Sequence, residues 1–492
     1  MNIARIIAAG SLAVGLAGIA SAAVNNPGSP YIIHVSGSTA FRGQYTTGEI
    51  AALTAGLTVA NGFSAGTVPG TGTSKSSFTV KDTFTCVHGV DANNNEIVFI
   101  NHWTGSVAGV VDLAQANLIS YIPVANVPAI NVAAVSLPTT ENAAPLMSMT
   151  DAAAGDCATV CKSSGGNAAA KAAGAAITAA GMTDAGVTSG TAGFVSTVDF
   201  EWVMGANSAA APAITNVTQD NAQALLSGGV LPAQYLTGVS ADGATAVFYV
   251  GRNEDSGTRV LSQAESWAYG TGSSVGLGAA TKQYMIDQAI AGYPANVGYS
   301  SLAAESGNIV DFKIWPGNWG MNTKATISWA TPGHSGYNGG GDVEAVLQSP
   351  NPVSALPSTG SFTSPVTGVA YTGQVFLTCI GTADAASLFT ASPAGTALKY
   401  NGVTYSKANI ENGTYALSNF EHSYYILGGA AANSLAVVAN GASIKLALDT
   451  VADAVYNSGL GASNTDAGIC GATAVTFPAI LNRGKTAGSY IH

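Results

Sequence analysis

The sequence predicts an α/β protein, and three copies of one local pattern predict it. In each, a run of β-branched and aromatic residues leads into a turn of Gly, Ser and Thr that opens a helix-like segment. The runs are Tyr31-Ile32-Ile33-His34-Val35, Glu96-Ile97-Val98-Phe99-Ile100 and Ala246-Val247-Phe248-Tyr249-Val250. Units of this kind build layered α/β proteins whose ligands bind at strand ends.

The first run passes through Ser36-Gly37-Ser38-Thr39-Ala40-Phe41-Arg42 into a helical pattern that reaches Leu53. The second is followed by Thr104-Gly105-Ser106-Val107-Ala108-Gly109-Val110 and an apolar stretch. Lys162 to Gly193 is rich in Ala, Gly and Ser; Ala168 to Ala180 is its best helix, and its glycines mark an insertion or linker. Ile214 through Gly228-Gly229 reads as a capped helix stopped by glycine. A Gly-rich loop from Thr331 to Asp342 precedes a helix from Val343 to Leu347, and four prolines between Pro350 and Pro365 mark a long loop. Gln374 to Thr378 resumes strand texture, followed by an Ala-rich run through Ala452.

Length and composition set the frame. A chain of 492 residues exceeds one ordinary core, so two or three domains are expected. Charged residues are 9% of the chain, well below the usual share of about 25%. Disorder is still a poor explanation, because β-branched and aromatic residues are plentiful. At the N-terminus Arg5, the apolar stretch from Ile6 to Ile19 and Ala20-Ser21-Ala22 have the layout of a cleaved signal peptide. That stretch is short and rich in Gly and Ala, so no membrane span is expected after cleavage near Ala23. A net charge of −11 argues against nucleic acid but not against a small anion, because local dipoles and one Arg outweigh a screened global charge. Of five cysteines, Cys157 and Cys161 are spaced for a small-loop disulfide. A metal site is disfavoured there, since none of the six His lies within ligand spacing, and no cofactor is expected.

The third strand run leads into Arg252-Asn253-Glu254-Asp255-Ser256-Gly257-Thr258. Ser256, Gly257 and Thr258 offer hydroxyls and backbone N–H groups at a helix start, which is an anion seat. Arg252 adds a fixed cation with forked donors, in a chain holding only 16 Lys and Arg. Taken alone, a capped helix with an exposed ion pair is the plainer reading.

The order of the pieces changes the balance. Gly37-Ser38-Thr39-Ala40-Phe41, Gly105-Ser106-Val107-Ala108-Gly109, Ser148-Met149-Thr150-Asp151-Ala152, Val217-Thr218 to Gly228-Gly229, and Arg252 with Ser256-Gly257-Thr258 follow one another in a family's order. In this the chain resembles the periplasmic phosphate-binding proteins of phosphate ABC transporters, within the type 2 periplasmic binding protein superfamily. The resemblance runs from about residue 31 to 425, with long insertions. It implies an α/β, two-lobed fold that closes over one phosphate. Residues 1–22 would be the signal peptide, 23–194 and 371–492 the first lobe, and 195–370 the second. Ser38, Thr39, the Ala40 N–H, Ser106 and Asp151 would serve the ligand from the first lobe; Arg252, Ser256, Gly257 and Thr258 from the second.

The resemblance also implies a non-enzymatic protein of the periplasm or cell exterior, with inorganic phosphate as ligand and an ABC permease as partner. Asp151 would discriminate. An ionised carboxylate only accepts hydrogen bonds, so it requires a proton on the ligand, which phosphate carries and sulfate lacks. An N-cap before Ala152-Ala153-Ala154 is an equal reading of Asp151. Glu254 matches an acidic position that orients the arginine, whereas Asp255 and Arg42 depart from the family pattern.

Other readings carry less. Gly272-Ser273-Ser274-Val275-Gly276 fits a hydrolase elbow formally, with His334 or His422 as arbitrary partners, but no strand precedes it. Asp91-Ala92-Asn93-Asn94-Asn95-Glu96 has calcium-loop texture without the sixth-place glycine, and a polar turn explains it better. Tyr424-Tyr425 and Trp315 with Trp319 read as packing rather than a sugar surface. A secreted surface protein that borrows the binding-protein fold is the remaining alternative.

Overall fold

A computed structural model describes residues 30–53, 55–63, 84–124, 141–162, 168–186, 196–206, 212–228, 230–252, 256–266, 340–348, 362–363, 370–411 and 413–457. Outside these lie the signal-peptide layout, Glu254 and Asp255, the Gly272–Gly276 segment, His334, Trp315 and Trp319.

Through the first third the order is β1 (Tyr31–Gly37), α1 (Arg42–Ala52), β2 (Ala55–Phe63), β3 (Phe84–Val90), β4 (Glu96–His102), α2 (Ser106–Gln115) and β5 (Met147–Thr150). Next come α3 (Ala154–Lys162), α4 (Ala168–Ala179), β6 (Met182–Asp184), β7 (Ser196–Met204), β8 (Asn216–Val217), α5 (Gln219–Gly228) and β9 (Val230–Pro232). The rest comprises β10 (Thr245–Tyr249), α6 (Gly257–Glu265), α7 (Gly340–Gln348), β11 (Gly373–Gly381), α8 (Thr382–Thr390), β12 (Thr396–Tyr400), β13 (Ser418–Ile426) and α9 (Gly441–Asn457). The protein is therefore mixed α/β. Each of the three strand–turn–helix readings coincides with a strand and a helix.

The described residues fall into two compact units. Unit 1 lies within Met1–Asp151, Ala176–Thr197 and Phe420–Ala474, and unit 2 within Ala152–Ala175, Val198–Asn419 and Val475–His492. Residues 371–419, expected with the first lobe, fall in unit 2. The reason is register: β11 runs parallel to β10, with Thr245 opposite Gly373 and Tyr249 opposite Leu377. That pairing ties the segment to the strand that carries Arg252's loop.

In unit 1 the strand order is β13-β5-β1-β4-β3-β2. β1 is parallel to both β4 and β5, while β13 is antiparallel to β5. Inward positions of β1 (Tyr31, Ile33 and Val35) are buried with Phe99, Met149 and Leu448, as alternation along a half-covered strand requires. α9 packs on α1, and Gly48 permits it, since a Cβ there would stand 2.5 Å from Val455 Cγ2. The β3–β4 hairpin closes through Asp91. Its Oδ1 accepts the Asn93 and Asn95 N–H groups at 2.8 Å each, and its Oδ2 accepts Asn95 Nδ2 at 2.9 Å. Both carboxylate oxygens are used by their own turn, so the segment is a polar turn.

In unit 2, β9 is antiparallel to β10, β10 parallel to β11, and β11 antiparallel to β7; β12 pairs with β7 and with β8. α5 begins with a reciprocal cap: Asn221 Oδ1 accepts the Thr218 N–H at 3.2 Å, and Thr218 Oγ1 accepts the Asn221 N–H at 3.1 Å. Trp202 lies against Tyr249 at 5.6 Å, and the Tyr415 hydroxyl donates to Phe200 O at 2.8 Å. No helix among the described residues is long and apolar enough to cross a membrane.

Candidate functional site

Unit 1 places its candidate residues by strand order. β1 sits between β5 and β4 and is parallel to both, so all three strands end at one edge. Ser36 lies opposite His102, and Gly37 opposite Met149. The segments that follow therefore emerge side by side: Ser38-Thr39-Ala40 after β1, Gly105-Ser106 after β4 and Asp151 after β5. Carboxyl ends of parallel strands are where open α/β sheets receive ligands.

Backbone contacts lock this edge. Ser38 N–H donates to Met149 O and Gly105 N–H to Gly37 O, both at 2.8 Å. The glycines are required rather than incidental. Gly37 has φ +127° and a Cβ there would lie 1.9 Å from Met149 O. The motif glycines Gly37, Gly105 and Gly109, scattered in sequence, thus meet at one crossing.

Two helices start here without a side-chain cap: α2, whose N-cap is Gly105, and α1, whose N-cap is Phe41. First-turn N–H groups have no intrahelical acceptor, and the helix dipole adds about half a positive charge at each start. Ser38, Ser106 and Asp151 are buried, Thr39 is half-buried and Ala40 exposed. Ser38 Oγ accepts the Phe41 N–H at 3.3 Å, which braces the entry to α1. As for the N-cap reading of Asp151, α3 begins at Ala154, and the Asp156 and Cys157 N–H groups bond Ala153 O.

A further carboxyl that sequence reasoning missed stands beside Ser38. Glu421, on β13, is 1% exposed, and its Oε1 lies 3.5 Å from Ser38 Oγ. Burial first, and then the charge of Asp151, push the Glu421 carboxyl well above the usual carboxylate range; the Ser38 contact opposes them. A faint signal was in the chain, since Glu421 falls in the buried stretch of an aromatic strand, but its partner is distant in sequence. On the same strand His422 Nδ1 pairs with Asp184 Oδ1 at 2.9 Å and stacks on Tyr424. Tyr424 and Tyr425 are buried and serve packing.

Unit 2 presents a second set. β10 ends at Tyr249, Arg252 follows, and α6 starts behind Ser256, whose carbonyl accepts the Val260 N–H at 3.2 Å. Arg252, Ser256 and Thr258 are buried, and so is Arg259. Arg259 is a second guanidinium that the R-x-x-x-S-G-T spacing did not single out. On β11, burial and then the charges of Glu265 and Glu201 raise the Cys379 thiol far beyond the physiological range, so it stays protonated. Cys157 and Cys161 share α3; Cys157 Sγ is 3.8 Å from Ala152 O, and the Cys161 side chain lies outside the described residues. Among the described residues no group of His, Cys, Asp and Glu is arranged to hold a metal ion.

No family model matches the chain, and no curated protein matches it. Among solved structures it is similar to a putative phosphate ABC transporter substrate-binding protein with bound phosphate from Clostridium perfringens. That match has 12% identity and a TM-score of 0.33, covering 85% of this chain and 92% of that one. It is also similar to PstS from Borrelia burgdorferi, at 9% identity and a TM-score of 0.30, over 86% of this chain and 92% of that one. An ABC-type phosphate transport receptor from Vibrio cholerae is similar at 10% identity and a TM-score of 0.31, over 88% and 97%. TM-scores of 0.30 to 0.33 leave the ligand to be read from this chain's own residues.

Proposed function

We propose that the protein is an extracytoplasmic solute-binding protein for inorganic phosphate, and that it delivers phosphate to an ABC permease. The observation that supports it most is the edge of unit 1. Hydroxyl donors, two uncapped helix starts and one carboxylate meet at the ends of three adjacent parallel strands. The candidate residues are Ser38, Thr39, the Ala40 N–H, Ser106 and Asp151 in unit 1, and Arg252, Ser256 and the N–H groups of Gly257 and Thr258 in unit 2.

The chemistry follows from desolvation. A phosphate taken out of water needs a donor on each oxygen, because an unpaired oxygen costs roughly 1–3 kcal/mol or more. Neutral donors and helix starts meet this need without a mobile counter-ion, and the guanidinium of Arg252 supplies the charge. Asp151 adds the one acceptor, which selects a ligand that carries a proton. No bond is made or broken, and the ligand leaves unchanged.

The test is ligand-dependent stability and competition on the purified chain. Phosphate at a hundredfold excess over its dissociation constant stabilises a specific binder by about 2.7 kcal/mol. Arsenate should compete with labelled phosphate and sulfate should not. Absence of stabilisation, or displacement by sulfate as readily as by arsenate, contradicts the reading.

A further inference from the structure

Ser38 is the hydroxyl at the centre of the unit 1 edge, and its hydrogen is the question. Its Oγ already accepts the Phe41 N–H at 3.3 Å. The remaining neighbour is Glu421 Oε1 at 3.5 Å, a separation between oxygens that fixes no donor. Two arrangements satisfy it. If Glu421 is a carboxylate, it can only accept, so Ser38 spends its single hydrogen on Glu421 and has none for a ligand. If Glu421 is a carboxylic acid, its O–H donates to the second lone pair of Ser38 Oγ. Both lone pairs are then occupied, and the Ser38 hydrogen is free.

We propose that Glu421 is a positioning residue of the phosphate seat, its carboxylic acid donating to Ser38 Oγ and so directing the Ser38 hydroxyl hydrogen to a bound oxyanion. The inference rests on the phosphate reading above and adds to it the residue that sets donor polarity.

The surroundings of Glu421 favour the acid form on geometry. The side chain is 1% exposed, Asp151 is a neighbouring negative charge, and no described cation touches either Glu421 oxygen. Its Oε2 has no partner among the described residues. A buried carboxylate with one oxygen unsolvated is expensive, whereas a neutral acid tolerates it better. His422, the next residue, is engaged with Asp184 and so is not its counter-ion. An anionic ligand near the seat adds a further reason to keep the proton. A carboxylate at this place would repel phosphate and withhold a donor from it at once.

The proposal separates Glu421 from Asp151. Asp151 accepts from the ligand, whereas Glu421 never meets the ligand and acts through Ser38. Two acidic residues at an anion site thus have opposite hydrogen-bonding roles.

The test uses the full chain, phosphate calorimetry at pH 7 and infrared difference spectra. Glu421→Gln keeps a neutral donor, since its amide N–H can replace the acid O–H. It is expected to hold phosphate within about threefold of wild type. Glu421→Ala removes the donor and is expected to weaken phosphate about tenfold, the scale of one hydrogen bond. That loss should vanish in a Ser38→Ala background. The wild type minus Glu421→Gln spectrum should show the carbonyl band of a neutral carboxylic acid.

A carboxylate band instead, with Glu421→Gln binding phosphate more tightly than wild type, overturns the proposal. So does a Glu421→Ala loss that persists without Ser38. If wild type binds no phosphate at all, the phosphate reading falls and this role falls with it; if wild type binds and these arms fail, only the role of Glu421 falls.

Discussion

Gly109 and Gly37 are packed backbone to backbone: a Cβ built on Gly109 would stand 2.5 Å from Gly37 Cα and 2.8 Å from Gly37 N. Neither neighbour is a flexible side chain, so the backbone itself would have to move. Gly109→Ala is expected to destabilise unit 1 by about 1–3 kcal/mol, the usual cost of overpacking. Gly37→Ala should cost more, because φ +127° adds strain to a 1.9 Å clash with Met149 O. Urea denaturation checks both; a wild-type midpoint in Gly37→Ala would contradict the crossing.

Asn433 anchors the loop before α9 to the rest of unit 1. Its Nδ2 donates to Leu113 O at 2.8 Å, at the end of α2, and to Pro145 O at 3.0 Å, ahead of β5. Asn433→Ala deprives both carbonyls of a donor in a buried setting, so a loss of about 2 kcal/mol is expected. Thermal unfolding reads it directly. A shift no larger than that of an exposed substitution such as Leu446→Ala would show that the loop is not held this way.

Glu49 is fully buried in unit 1, with Asn101 Nδ2 donating to its Oε2 at 2.9 Å. Burial raises its carboxyl well above the ordinary range, and the Asn101 contact only partly offsets this. Its folded-state pKa is raised, so the native chain binds a proton that the unfolded chain has released. The sign follows: this group's contribution to stability falls as pH rises above the unfolded value, until the folded group ionises. Glu49→Gln should remove that slope and raise stability at pH 8 relative to pH 5, compared with wild type. Parallel pH profiles for the two proteins would contradict a neutral Glu49.

What the sequence showed and what it hid divide along range. Tyr31 to Val35, Glu96 to Ile100 and Ala246 to Val250 were legible as strands because β-branched runs ending in Gly and Ser turns are local signals. The helix at Val343 to Leu347 and the stop at Gly228 were legible from local signals too, whereas Asn216–Val217, read into that capped helix, form β8 ahead of it. The meeting of Gly37, Gly105 and Gly109 was not, because it depends on β1 lying between β5 and β4. Glu421 was hidden by the same cause: its contact with Ser38 joins the two ends of unit 1. The assignment of residues 371–419 turned on β10 pairing with β11, which no local pattern states.

Asp151→Asn tests ligand choice. The amide can donate as well as accept, so on the proposed function the demand for a protonated ligand is relaxed. Phosphate affinity is expected to fall by about tenfold, one good hydrogen bond, while sulfate becomes a competitor. Competition binding of labelled phosphate checks it. Continued exclusion of sulfate by Asp151→Asn would assign the discrimination to another residue.

On the proposed function this chain binds phosphate, with Arg252 as the cation. Calorimetric titration of phosphate into wild type and Arg252→Ala, both checked for intact folding by circular dichroism, tests it most directly. Saturable binding by wild type and a loss of about a hundredfold or more in the variant are predicted, the scale of removing a buried hydrogen-bonded charge. No saturable heat with wild type, or equal affinity in Arg252→Ala, would contradict it.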